Sequence, residues 1–144
     1  MRRVIEFTGA SVTGVTICQH QINRAKEITK TEWPEYIQKK AKYVRGDYND
    51  LPKELEANSF DAAYFMESLS HAEDRTAPLA QAAKIVKPGG IVGAWQWMLK
   101  PAFNFSNTRH LELKRGMEYG GGLRNLIKPF GEPGDDFGTH SATQ

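Results

Sequence analysis

Four short apolar runs, set apart by segments of helical periodicity, constrain this chain more than any other feature of its sequence. Val12-Thr13-Gly14-Val15-Thr16-Ile17 is compact and β-branched, as a buried strand is, and Lys42–Asp47, Ser59–Met66 and Ile91–Trp97 are the other three. Between them Ile22, Ala25 and Ile28 recur on one helix face. From Thr76 onward Leu79, Ala80, Ala83 and Val86 form an amphipathic stripe that Pro78 can enter in its first turn. Strands alternating with helices predict an α/β fold, a mostly parallel sheet with helices on both faces. Ahead of the first strand a short helical segment ends at Phe7-Thr8-Gly9, with Gly9 placed as a left-handed cap. Trp33-Pro34 interrupts the first long helix, because the residue before a proline avoids helical conformation. Lys87-Pro88-Gly89-Gly90 reads as a sharp turn, and Asn107 to Tyr119 as a helix before a glycine run.

Ligands of such sheets sit beyond the carboxyl ends of the strands, where Thr16, Asp47, Glu67 and Trp97 all fall. Charge directs the search away from nucleic acid: 19 basic residues against 17 acidic ones, scattered rather than striped, create no strong field. The lone Cys18 cannot close an internal disulfide, which fits a reducing, intracellular compartment, and with His20 it is too isolated from other ligands to hold a metal. No run approaches the roughly 20 apolar residues that span a bilayer, so the expectation is a soluble or peripheral chain. Residues 1–124 are expected to form one domain and residues 125–144, rich in Gly, Pro, Asp, Ser and Thr, a disordered tail. No Gly-x-Gly-x-x-Gly follows a strand, which argues against a nicotinamide-linked dehydrogenase.

Several strings resemble the sterol 24-C-methyltransferases, a branch of the S-adenosylmethionine-dependent methyltransferases. They are Phe7-Thr8-Gly9, Val12 to Val15, Gln21-Ile22, Val44-Arg45-Gly46-Asp47-Tyr48, Asn58-Ser59-Phe60-Asp61, Glu67 with His71-Ala72, Lys87-Pro88-Gly89-Gly90, Trp97, Asn107, His110 and Glu118 to Gly122. Roughly residues 3 to 124 are covered. The resemblance implies a partial Rossmann-like methyltransferase fold, S-adenosylmethionine as cofactor, and a sterol side chain as methyl acceptor. It begins just downstream of the strand and glycine-rich loop with which that family opens its cofactor domain, so the chain is expected to be truncated at both ends. The missing strand belongs between those ending at Thr16 and Glu67. Buried backbone groups left unpaired cost about 1–3 kcal/mol each, so the isolated chain is expected to be unstable or to re-pair its strands. Ser70 and Gln96 stand where relatives carry cysteine and glutamate, and Thr16-Ile17-Cys18 where they carry asparagines.

Within that resemblance, Asp47 is expected to accept from the adenine amino group and Tyr48 to pack on the base; the plain alternative for Asp47 is a helix N-cap. Thr16 and Gln21 are the candidates for the ribose, against an ordinary strand end and a solvated first-turn residue. Glu67 would face the sulfonium or a cationic intermediate, or else cap a helix. His71, four residues on, is the candidate base for the final proton. Tyr64, Trp95 and Trp97 could present π faces to a carbocation, with core packing the preferred reading of Trp95. The alternatives from other classes are a methyltransferase acting on another lipid, such as a quinone or a tocopherol-like phenol, and a non-catalytic remnant. A peripheral membrane contact, as at the endoplasmic reticulum, would follow from a sterol substrate.

Overall fold

The computed structural model describes residues 1–124, 126 and 127. The chain divides into two compact units, the first Met1–Glu56 and the second beginning at Ala57. The described strands form two two-stranded parallel sheets with helices packed on them, the α/β arrangement expected.

In the first unit the order is α1 (Arg2–Thr8), β1 (Val12–Thr16), α2 (Gln19–Glu32), α3 (Glu35–Lys40) and β2 (Ala41–Arg45). Gly9 caps α1 at φ 71, as its position predicts. Trp33 is extended at φ −123 and ψ 145, so α2 stops at the residue before it. Helix α3 was not anticipated. Six residues are too few to show a period, and its core anchor is the single fully buried Ile37. It runs without a loop into β2, which pairs with β1 from Val12↔Ala41 to Thr16↔Arg45. Ile5, Ile22, Ile37, Val44 and Leu55 make the core, beside a partly buried polar cluster. There the Thr29 and Tyr43 hydroxyls are 2.6 Å apart, and Arg2 Nη1 donates to the Tyr43 oxygen at 3.2 Å. Hydroxyls that pair in this way offset the cost of their partial desolvation.

The second unit runs β3 (Phe60–Met66), a 3-10 turn (Leu69–His71), α4 (Thr76–Ile85), β4 (Val86–Trp95) and α5 (Thr108–Gly121). Helix α4 ends at Ile85, and Val86 opens β4 instead of completing the helical stripe. The Lys-Pro-Gly-Gly stretch is an interruption within β4. Phe60 pairs with Val86 and Ala62 with Ile91, so one residue of β3 faces four of β4. Gly89 there has φ +80, and a Cβ on Gly90 would lie 2.6 Å from the Asp61 carbonyl oxygen, so this excursion requires both glycines. Lys87 Nζ spans it to Asp61 Oδ1 at 2.6 Å, holding the Asp61 carboxyl below its usual range through that hydrogen bond and the lysine's charge.

β1 and β3 each have one partner strand among the described residues. On one face of the second sheet Ala62, Tyr64 and Met66 align with Ile91, Gly93 and Trp95. Ile91, Met66 and Trp95 are 70%, 62% and 69% exposed. Trp95 therefore is not packed in the core, contrary to the sequence reading. The strand ends at Trp95, so Trp97 lies beyond it and is not held on the same face by strand alternation. Leu126 and Ile127 are buried, and Leu99 N–H donates to the Ile127 carbonyl at 2.8 Å. Two adjacent large apolar side chains are enough to anchor that stretch despite its polar setting. The rest of the expected tail lies outside the described residues. No helix among the described residues is long and apolar enough to cross a membrane.

Candidate functional site

In the first unit the tips of β1 and β2 are joined by the Gly46 N–H, which donates to the Thr16 carbonyl at 3.1 Å. The Thr16 hydroxyl donates to Gln21 Oε1 at 2.7 Å and accepts from the Cys18 N–H at 3.2 Å. The two candidates from β1 and the first turn of α2 are thus brought together. Asp47 is exposed, and its Oδ1 accepts from both the backbone N–H and the side-chain amide of Asn49, at 2.8 and 2.9 Å. No helix follows it, so Asp47 shapes an Asx turn rather than a helix cap. Tyr48 is half-buried, and its phenol is pushed above its usual range by burial and then by the negative charge of Asp47.

In the second unit Glu67 follows directly on β3, and its N–H extends the ladder to the Trp95 carbonyl at 2.7 Å. Its φ is +51, a left-handed conformation costly for a side chain with a Cβ and characteristic of functional sites. This strain was not visible in the sequence, since a glutamate gives no sign of a positive φ. Substituting glycine is expected to stabilise the fold by about 0.5–1 kcal/mol, after the extra chain entropy of glycine is offset. Urea denaturation of Glu67→Gly should show a higher midpoint at an unchanged slope; a lower midpoint would mean that the carboxylate, not the backbone, dominates there.

Beyond Glu67 the 3-10 turn is held from two directions. Ser70, 1% exposed, donates its N–H to Gln96 Oε1 at 3.1 Å and accepts from Arg124 N–H at 2.8 Å through its carbonyl. The exposed His71 ring places Nδ1 3.0 Å from the Gly122 carbonyl oxygen. The sequence reading ended this helix at Tyr119, before the glycine run. Instead α5 includes Gly120 and Gly121, and Gly122 is its left-handed cap. The signal that could have revealed this was present, a glycine closing a helical run. Tyr64, 44% exposed on β3, has its phenol raised by burial, and Trp97 is 54% exposed. A depression of about 410 Å³ lies elsewhere, lined by residues such as Lys26, Lys30 and Tyr43 and by none of the expected site residues. Among the described residues no three His, Cys, Asp or Glu side chains are grouped to hold a metal ion.

The sterol 24-C-methyltransferase of Aspergillus fumigatus is 32% identical over 127 residues, 88% of this chain and 32% of the relative. The cycloartenol-C-24-methyltransferase of Arabidopsis thaliana is 30% identical over 126 residues, 88% of this chain and 36% of the relative. The resemblance stated from the sequence is borne out, and the chain spans about a third of the length of these relatives. The crystal structure of geranyl diphosphate C-methyltransferase from Streptomyces coelicolor matches with a TM-score of 0.70 at 14% identity, over 87% of this chain and 42% of that one. A geranyl diphosphate methyltransferase solved in complex with SAM also gives 0.70, at 15% identity over 88% and 46%. At such identities these structures establish the fold alone. A model described as a methyltransferase domain matches residues 1–93, nearly two thirds of the sequence and both sheets up to Gly93 near the end of β4. The chain belongs to the methyltransferase domain family.

Proposed function

We propose that this chain is the donor-binding part of an S-adenosylmethionine-dependent C-methyltransferase acting on a sterol side chain. The observation that carries the reading is the strained Glu67 carboxylate at the tip of β3, in a chain whose curated relatives are named sterol 24-C-methyltransferases. The donor's chemistry is a positively charged sulfur that gives up its methyl carbon to an electron pair and leaves as a neutral thioether. An adenosine end needs an acceptor for the amino group and a flat wall. An exposed Asp47 carboxylate beside the half-buried Tyr48 ring supplies both, which supports the fit. The Thr16 hydroxyl and Gln21 amide, already 2.7 Å apart, offer the paired polar groups that ribose hydroxyls require.

Glu67 carries the charge that favours a sulfonium over its neutral product. In the acceptor step the π electrons of a side-chain alkene form the new C–C bond to the methyl carbon, and the C–S pair stays on sulfur. The cation left on the acceptor loses a proton to a base, the role of His71 in this reading. Tyr64 and Trp97, both about half exposed, provide π faces for that cation, each worth about 0.5–2 kcal/mol. A sterol acceptor resides in membranes, so peripheral contact, at the endoplasmic reticulum for example, belongs to the same proposal.

Incubation with methyl-labelled S-adenosylmethionine and a sterol extract is expected to give a labelled product one methyl heavier than the acceptor. Label appearing in quinones or phenols alone would replace the sterol assignment with another lipid. Tyr48→Ala is expected to weaken S-adenosylmethionine and S-adenosylhomocysteine alike by about 10- to 100-fold, the loss of one aromatic face from a base, about 1–3 kcal/mol. Equilibrium dialysis with both ligands checks this, and unchanged affinities would remove Tyr48 from the site.

A further inference from the structure

We infer that the cap of α5 fixes the tautomer of His71, holding the proton on Nδ1 and leaving the Nε2 lone pair outward, so that Gly122 acts as the positioning residue for a base. The inference rests on the proposed role of His71. A carbonyl oxygen can only accept, so the 3.0 Å contact between His71 Nδ1 and the Gly122 oxygen requires the hydrogen to be on Nδ1. In a neutral imidazole the other nitrogen is then the acceptor, the form a base needs.

The contact is built into the fold from both sides. The turn bearing His71 is fixed inward by the Ser70 N–H on Gln96 Oε1 and outward by the Arg124 N–H on the Ser70 carbonyl, at 3.1 and 2.8 Å. The carbonyl it meets is fixed as well. Gly122 sits at φ 61 and ψ 26, with its N–H on the Tyr119 carbonyl, and Leu123 N–H closes on the Glu118 carbonyl at 2.9 Å. Downstream, the Glu118 carboxylate accepts from Lys114 and from the Leu126 N–H at 2.7 Å, so burial of Leu126 anchors the segment that carries the carbonyl. His71 and Gly122 lie 51 positions apart, and all this bonding serves to bring them together.

His110 provides an internal control of opposite sense. Its Nδ1 accepts from the Asn104 N–H at 3.0 Å, so its neutral ring carries the proton on Nε2. The test is long-range ¹H–¹⁵N correlation on the intact chain with labelled histidine, above the titration range of the rings. Signals are assigned through His71→Gln and His110→Gln. His71 is expected in the Nδ1–H pattern and His110 in the Nε2–H pattern. Gly122→Val, which a left-handed backbone tolerates poorly, is expected to move His71 toward the Nε2–H form while His110 stays unchanged. A predominant Nε2–H tautomer at His71 in the unaltered chain, or a ring averaging freely between the two forms, overturns the inference. Methyl transfer by His71→Gln is read separately: full activity would remove His71 as the base while leaving the tautomer result standing.

Discussion

Glu67→Gln is expected to weaken S-adenosylmethionine binding by about tenfold, or about 1.4 kcal/mol, while S-adenosylhomocysteine binding stays within about twofold. The two ligands differ by one methyl group and one positive charge, and the two side chains by one negative charge at nearly constant shape. The amide can keep the backbone at φ +51, so the substitution separates charge from conformation. Opposite charges a few ångströms apart at a partly solvated site interact by a few kcal/mol at most, and Glu67 is exposed in the free chain, which argues for the lower end. Transfer itself should fall further, by about 100-fold, because the same carboxylate would stabilise the cation that forms on the acceptor; removing one preorganised electrostatic group has effects of that order. Equal weakening of both ligands would assign Glu67 a purely structural part.

Leu69→Ala is expected to destabilise the second unit by about 3 kcal/mol, within the 2–5 kcal/mol range for emptying a buried leucine site. Leu69 is 2% exposed and begins the turn that continues through Ser70 and His71. Its carbonyl accepts from the Ala72 N–H at 3.0 Å and from Arg75 Nε at 3.3 Å, so the cavity would open beneath a stretch whose bonds depend on its position. Domains hold only about 5–15 kcal/mol in all, and a loss of this size should lower the thermal midpoint by on the order of 10–20 °C. Ile91→Ala is the matched control: at 70% exposure it should change stability by less than about 0.5 kcal/mol. Equal effects of the two substitutions would show that the second unit lacks the defined core described.

Local pattern carried the elements that depend on local pattern. β-branched and apolar runs located the four strands of the described residues, and Gly9, Trp33-Pro34 and Asn107 marked helix ends, with the Asn107 side chain accepting from the Arg109 and His110 N–H groups. Where it misled, a competing constraint acted. The Lys-Pro-Gly-Gly stretch had the composition of a turn, yet Val86 before it pairs with Phe60, a partner 26 positions away that no local signal announces. Helix α3 is too short to show its period.

The strand ends that carry candidate residues were legible. What surrounds them was not: the Gln96 amide on Ser70, the Gly122 carbonyl on His71 and the left-handed Glu67 all depend on contacts between distant segments. Gln96, read at first only as a departure from relatives, turns out to hold the turn that carries the candidate base.

Calorimetric titration of the chain with S-adenosylmethionine tests the central claim most directly. Saturable binding, about tenfold weaker for Glu67→Gln and weaker still for Tyr48→Ala, is the predicted result. Absence of saturable heat up to about 1 mM ligand, or binding that neither substitution changes, would contradict it.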